Sequence, residues 1–177
     1  MPERTVTRSF RINETAFLAL EEEAKKHNIS VNTLVNQLFL SYANFDRHFQ
    51  KFGMLKISKV AYRKTLNALP EKEIIEAAKE VAQNSGRVVI LARYGALSLS
   101  GVLEYLMSLA EYAYFFEYNE VLSSEGRRVI TLTHSLGPKF STFLIAYVKS
   151  LFEQISMDPQ LSSTEDSITI KVQRHAT

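Results

Sequence analysis

From Thr5 to Ile12 polar and apolar positions alternate, with Thr5, Thr7, Ser9 and Arg11 on one side and Val6, Phe10 and Ile12 on the other. A period of two is that of a half-buried strand, and Arg8 is the one interruption of its apolar side. At Asn13 the period changes. Asn13 is a good N-cap and Glu14 suits a first turn. Ala16, Phe17, Leu20 and Ala24 then recur at helical spacing, with Glu21, Glu22, Lys25 and Lys26 on the wet side. His27-Asn28-Ile29 closes that helix and Ser30 caps the next, whose Val31, Leu34, Val35, Leu38, Phe39 and Tyr42 form an apolar stripe three turns long. A lone strand leaves backbone groups unpaired on both edges, and two short helices make half a core. The pattern predicts a two-fold dimer in which the strands pair antiparallel and the helices interlock.

The rest of the chain reads differently. Asn44 to Lys51 frays into a linker with a break at Gly53. Beyond it the pattern predicts a short strand at Met54–Ile57, a Ser58-capped helix over Lys59–Leu69, and a helix over Glu71–Asn84 stopped by Asn84-Ser85-Gly86. Arg87–Ala92 is nearly continuous apolar sequence, as in a strand buried on both faces. A helix starting at Ser98 or Ser100 turns Val102, Leu103, Leu106, Met107 and Leu109 to a core. Strands follow at Tyr112–Val121, Arg128–His134 and Ser167–Gln173, with a turn at Ser123–Gly126 and an amphipathic helix from Gly137-Pro138 through Gln154. The expected fold class is α+β: a strand-helix-helix unit over residues 1–50, then an α/β sandwich-like domain of about five strands over 54–174.

With 177 residues, 46% hydrophobic and 23% charged, the composition is that of a globular chain and excludes a disordered one. The absence of cysteine removes disulfides, thiolate metal sites and Cys nucleophiles. The longest apolar stretches, Val102–Tyr118 and Phe140–Phe152, are broken by Glu or Lys and fall short of the roughly 20 residues a membrane span needs. Together with an N-terminus that lacks a signal-peptide apolar region, this gives a cytoplasmic protein without a membrane partner as the expectation. A net charge of +2 neither demands nor forbids a nucleic acid, so any such argument is local.

The strand Thr7-Arg8-Ser9-Phe10-Arg11-Ile12 and the inter-helix run Asn28-Ile29-Ser30-Val31-Asn32-Thr33-Leu34 carry a resemblance. Residues 4–47 resemble the ribbon-helix-helix DNA-binding domain of the Arc, MetJ and CopG type, an intertwined dimer. That resemblance implies a sequence-specific, double-stranded-DNA-binding transcriptional regulator, such as a repressor, working as a homodimer or a dimer of dimers. Its antiparallel β-ribbon would enter the major groove, placing Thr7, Ser9 and Arg11 against base edges. Arg11 offers a planar fork for guanine O6 and N7, while Thr7 and Ser9 donate or accept. Ser30, Val31 and Asn32, at the free N–H groups opening the second helix, would hold a backbone phosphate. Arg8 stands where an apolar residue is usual; it either reaches a phosphate or pairs with an acidic residue of the second domain. Residues 1–12 hold three arginines against Glu3, whereas Glu21, Glu22 and Glu23 would repel phosphate unless turned away, so a modest salt slope is expected.

The C-terminal half is similar, through Thr133-His134-Ser135-Leu136-Gly137-Pro138-Lys139-Phe140-Ser141, to that of uncharacterised archaeal proteins with such a head, which implies a layout and no chemistry. His134, Gly137 and Lys139 form a candidate effector or anion pocket at a helix N-terminus; the plain reading of the glycine is a tight strand-to-helix turn. His27, His48, His134 and His175 have no metal-ligand spacing, so no metal or cofactor is expected. No nucleophile elbow, phosphate loop or dinucleotide fingerprint is present in the sequence, and the expectation is a non-enzyme. The aromatic group Tyr112, Tyr114, Phe115, Phe116 and Tyr118 reads first as core. Two alternatives remain: an antitoxin-like or adaptor protein whose C-terminal domain grips a partner protein, and an α/β enzyme with an N-terminal dimerisation segment.

Overall fold

A computed structural model describes residues 5–47, 55–123 and 127–172. The break at Gly53, the start of the expected strand at Met54, the turn residues Ser124–Gly126, Gln173, His48 and His175 lie outside them. The protein is α+β and divides into two units, Met1–His48 and Phe49–Thr177.

The N-terminal unit contains α1 (Glu14–Lys26) and α2 (Val31–Ser41), the latter continued by a π-helical turn over Tyr42–Asp46. Asn13 caps α1, its side chain accepting from the Ala16 N–H, and Ser30 caps α2 by accepting from the Thr33 N–H at 3.0 Å. Between them the chain turns on Asn28, held at φ 54°. The Asn28 N–H donates to the Lys25 carbonyl and the Ile29 N–H to the Ala24 carbonyl, which satisfies the last carbonyls of α1. The strand expected over Thr5–Ile12 is not formed: residues 5–13 have no regular secondary structure in the single chain. The physical reason is the one the pattern contains, since a ladder needs a second edge and none is paired with this segment.

In the C-terminal unit, α3 (Lys59–Ala68) is capped by Ser58, and α4 (Glu71–Val81) starts after Pro70. Asn84-Ser85-Gly86 does not stop α4. The helix passes through a π turn at Ala82–Gly86 into α5 (Arg87–Tyr94), ending where Gly95 takes φ 76°. The segment expected as a buried strand is therefore helical, with Val89 and Ile90 buried while Val88 and Leu91 stay partly exposed. The π turn follows from the placement of the small and apolar positions. Ile74, Ala78, Ala82, Gly86 and Ile90, all buried, recur every fourth residue. In a regular α-helix each such step drifts by about 40°, about 160° over the run, and one wider turn takes up part of that drift. The Ala82 carbonyl, which accepts the Arg87 N–H that closes the π turn, also accepts from the Gln154 side-chain amide at 3.3 Å. At Gly86 an added Cβ would lie 2.9 Å from Leu151 Cδ2 and 3.0 Å from the Tyr147 hydroxyl, which is itself hydrogen-bonded to Tyr105 at 2.8 Å.

After α6 (Leu99–Ala113), capped by Ser98, comes β1 (Glu117–Leu122), so the expected strand start at Tyr112 belongs to the helix. β2 (Arg128–Thr133), α7 (Pro138–Glu153), β3 (Gln160–Ser163) and β4 (Ser167–Val172) complete the unit. The sheet is antiparallel in order β1-β2-β4-β3, four strands where five were expected. Residues 55–57 are not a strand, Arg87–Ala92 is a helix, and the polar β3 was not foreseen. Ile130 pairs with Ile170 and Leu132 with Ile168, giving one fully buried face. The core runs from that face to α7, nine of whose sixteen residues are buried, among them Phe140, Leu144, Leu151 and Phe152. Among the described residues no single helix is long and apolar enough to cross a membrane.

Candidate nucleic-acid interface

Thr7, Ser9 and Arg11 are all exposed, and so are Val6, Phe10 and Ile12 opposite them in the alternation. Phe10 is 65% exposed even though its ring meets that of Phe39 edge-on at 5.8 Å. Among the described residues Arg8 donates to the adjacent Thr7 carbonyl, an arrangement that leaves the guanidinium at the surface. The chain's extended segment thus presents both a hydroxyl-and-guanidinium side and an apolar side to solvent.

Ser30, Val31 and Asn32 occupy the first turn of α2 as expected. The Ser30 hydroxyl is engaged twice, with the Thr33 N–H and at 2.8 Å with the Thr33 hydroxyl. The remaining N–H groups of that turn point out of the helix end, where the positive end of the dipole favours an anion. On α1, Lys26 sits 2.9 Å from Glu22 and 3.6 Å from Glu23, both exposed. Those ion pairs partly neutralise the acidic run that would otherwise oppose phosphate.

The second candidate site has a different chemistry from the one expected. Lys139 reaches back 70 residues in sequence, donating to the Asn67 carbonyl at 2.8 Å and to the Leu69 carbonyl, so its ammonium closes the C-terminus of α3. Gly137, at φ 83°, supplies the tight turn into α7 with Pro138 at its first position. His134 is buried and accepts at Nδ1 from the Leu136 N–H at 3.3 Å. That contact puts the ring proton on Nε2, which donates to Ser141 Oγ at 2.9 Å, and Ser141 in turn donates to the Glu165 carbonyl. A histidine in this tautomer cannot take the serine's proton, so the pair is a structural tie between β2, α7 and the loop before β4. Burial lowers the His134 pKa, the Asp166 carboxylate opposes that shift, and Lys59 adds to it. The three expected pocket residues therefore do three separate structural jobs.

No known protein-family model, curated protein or solved structure matches this chain. What can be said of the site rests on its own residues.

An open cleft of about 600 Å³ lies beside His134, bordered by Lys59, Met107, Glu111, Tyr114, Phe116 and Tyr118 among others. Of the aromatic group, Phe116 is buried, whereas Tyr114 is 70% exposed at the C-terminus of α6. Met107, expected in the core, is half exposed on this cleft. Among the described residues no cluster of three His, Asp or Glu side chains is placed to hold a metal.

One charged feature went unread in the sequence. From Arg47 to Pro70 there is no Asp or Glu, but six basic residues: Arg47, Lys51, Lys56, Lys59, Arg63 and Lys64. The rest of the chain carries 15 basic residues against all 19 acidic ones. The signal spans the boundary between the two expected domains, so charge tallied domain by domain divides it.

Proposed function

We propose that the protein is a dimeric, sequence-specific double-stranded-DNA-binding regulator whose N-terminal units pair through residues 5–12. The observation that carries this reading is the unsatisfied apolar surface of that unit. Val6, Phe10, Ile12, Leu18, Leu38, Phe39 and Tyr42 are each between 49% and 74% exposed, while among its described hydrophobic residues Ala24 and Phe45 alone are buried. A segment that alternates but for Arg8 and has no strand partner among the described residues, attached to two helices with an exposed apolar stripe, fits half of a two-fold fold. Antiparallel pairing of two copies of Thr5–Ile12 gives the backbone its ladder and turns Val6, Phe10 and Ile12 inward. It also turns Thr7, Ser9 and Arg11 outward as one row per chain, the residue types suited to base edges in a major groove. The first turn of α2 then supplies a phosphate contact on either side. The C-terminal unit, with its own closed core, serves as the effector-sensing or partner-binding part.

The test uses the full chain: sedimentation to establish the dimer, then selection of bound duplexes from a random pool. A palindromic or repeated motif is the expected result. Arg11→Ala should lose about 1–3 kcal/mol of discrimination between the selected site and a scrambled one, with the dimer intact. A monomer at micromolar concentration, or a pool that returns no motif, overturns the reading.

A further inference from the structure

The acid-free stretch supplies a surface that the ribbon does not use. α3 carries Lys59, Arg63 and Lys64, all exposed, and within the described residues none of the three has a carboxylate partner. At 100° per residue they occupy about 140° of the helix circumference, with Lys59 and Arg63 one turn, about 6 Å, apart. The stripe of α3 beside Lys59, formed by Tyr62 and Leu66, is committed to the core, the Tyr62 ring lying 5.9 Å from that of Phe140, and Arg63 and Lys64 lie progressively farther round toward solvent. The helix is anchored at both ends, by the Ser58 cap and by Lys139 on its last carbonyls, so this face is held rigidly. Eleven residues lie between Arg47 and Lys59 in the sequence, which can span at most about 40 Å.

We propose that the Lys59–Arg63–Lys64 face of α3 is a second DNA contact, binding the phosphate backbone beside the duplex segment read by the ribbon. The inference rests on the DNA-binding reading above and adds to it a contact blind to sequence. Three observations favour a duplex backbone over another polyanionic surface. α3 itself carries no acidic residue, so its cations are not neutralised within the helix, although Lys59 borders the cleft that Glu111 and Glu117 also line. Val60 is the sole large apolar side chain exposed on α3, which leaves an interfacial lipid helix little to bury. The N-terminal unit, Met1–His48, is neutral overall with six basic and six acidic residues, so a duplex bound by the ribbon alone lacks neutralising charge. Lys59 and Arg63 would meet successive phosphates along one strand, and Lys64 a phosphate farther round the helix, in both copies of the dimer.

The experiment measures affinity of the full-length protein for its selected duplex and for a scrambled duplex, each across 50–300 mM salt. Lys59→Gln/Arg63→Gln/Lys64→Gln removes up to six phosphate contacts per dimer, which at about 0.9 per contact flattens the log–log salt slope by up to about 5. The expected result is that flattening with affinity lost equally on both duplexes, at least about 100-fold at the lowest salt, and the ratio between them unchanged. Arg63→Gln alone should flatten the slope by about 2. A variant that keeps the wild-type slope and affinity overturns this inference and leaves the ribbon reading standing. A wild-type chain that selects no duplex overturns both. Salt-sensitive binding of the wild type to vesicles of anionic phospholipid, lost in the triple variant while duplex binding is retained, overturns the inference in favour of a membrane surface.

Discussion

The two units solve the same problem in opposite ways. In the C-terminal unit, helices on one face of a four-stranded sheet enclose Phe140, Phe152, Ile130, Leu132 and Ile170 almost completely. In the N-terminal unit the same classes of side chain lie on the outside, and the caps at Asn13 and Ser30 together with the Asn28 turn hold two helices that bury almost nothing. Local signals are complete in both; a core is complete in one. The contrast teaches that well-made helix ends do not make a domain, since most helical stability comes from burying an apolar face.

The sharpest way to break this contrast is to damage the closed core. Phe152→Ala should cost about 3–5 kcal/mol and melt the C-terminal unit early by calorimetry, whereas an N-terminal unit that folds through its own dimer should keep a separate transition whose midpoint rises with protein concentration. A single transition, lowered as a whole, would mean that the two units do not fold independently. A smaller effect is expected at Gly86, where Ala places a methyl against Leu151 and the rigid Tyr147 hydroxyl. Its cost should be about 1–3 kcal/mol in urea unfolding, again confined to the C-terminal unit. The smallest concerns pH. His134 has a folded pKa below its unfolded one, so the unfolded state binds more protons in that window and stability rises with pH. Urea midpoints of the C-terminal unit should be level above about pH 6.5 and decline as pH falls below it. His134→Gln should remove most of that slope.

Much of the architecture was legible because its signals are local. Asn13, Ser30, Ser58, Pro70, Ser98 and Gly137-Pro138 each stand at the start of a helix, and strands were expected at β2, where Val129, Thr131 and Thr133 alternate with Ile130 and Leu132, and at β4. The Val88–Ala92 run misled because a short apolar stretch has no period, and the helix and the buried strand look alike in it. Gly86 misled for a related reason: it resembles a stop, but it serves close approach to α7 at an ordinary helical φ of −58°. β3 is four mostly polar residues, defined only by the strand it joins. At the candidate sites, the exposed row Thr7, Ser9 and Arg11 was legible as pattern. The occupation of Lys139 by carbonyls some seventy residues away was not, since nothing near Lys139 in the chain announces it.

The π turn at Ala82–Gly86 has one more consequence. Such a turn is equivalent to a single surplus residue carried inside an α-helix, with the flanking faces kept in phase. Shortening the chain by one residue among Gln83, Asn84 and Ser85 would therefore restore an ordinary helix and leave Ile74 and Ile90 in their present relative orientation. The same excision one turn into α4 or α5 would swing half of the rod by about 100° and strip the core of its wall.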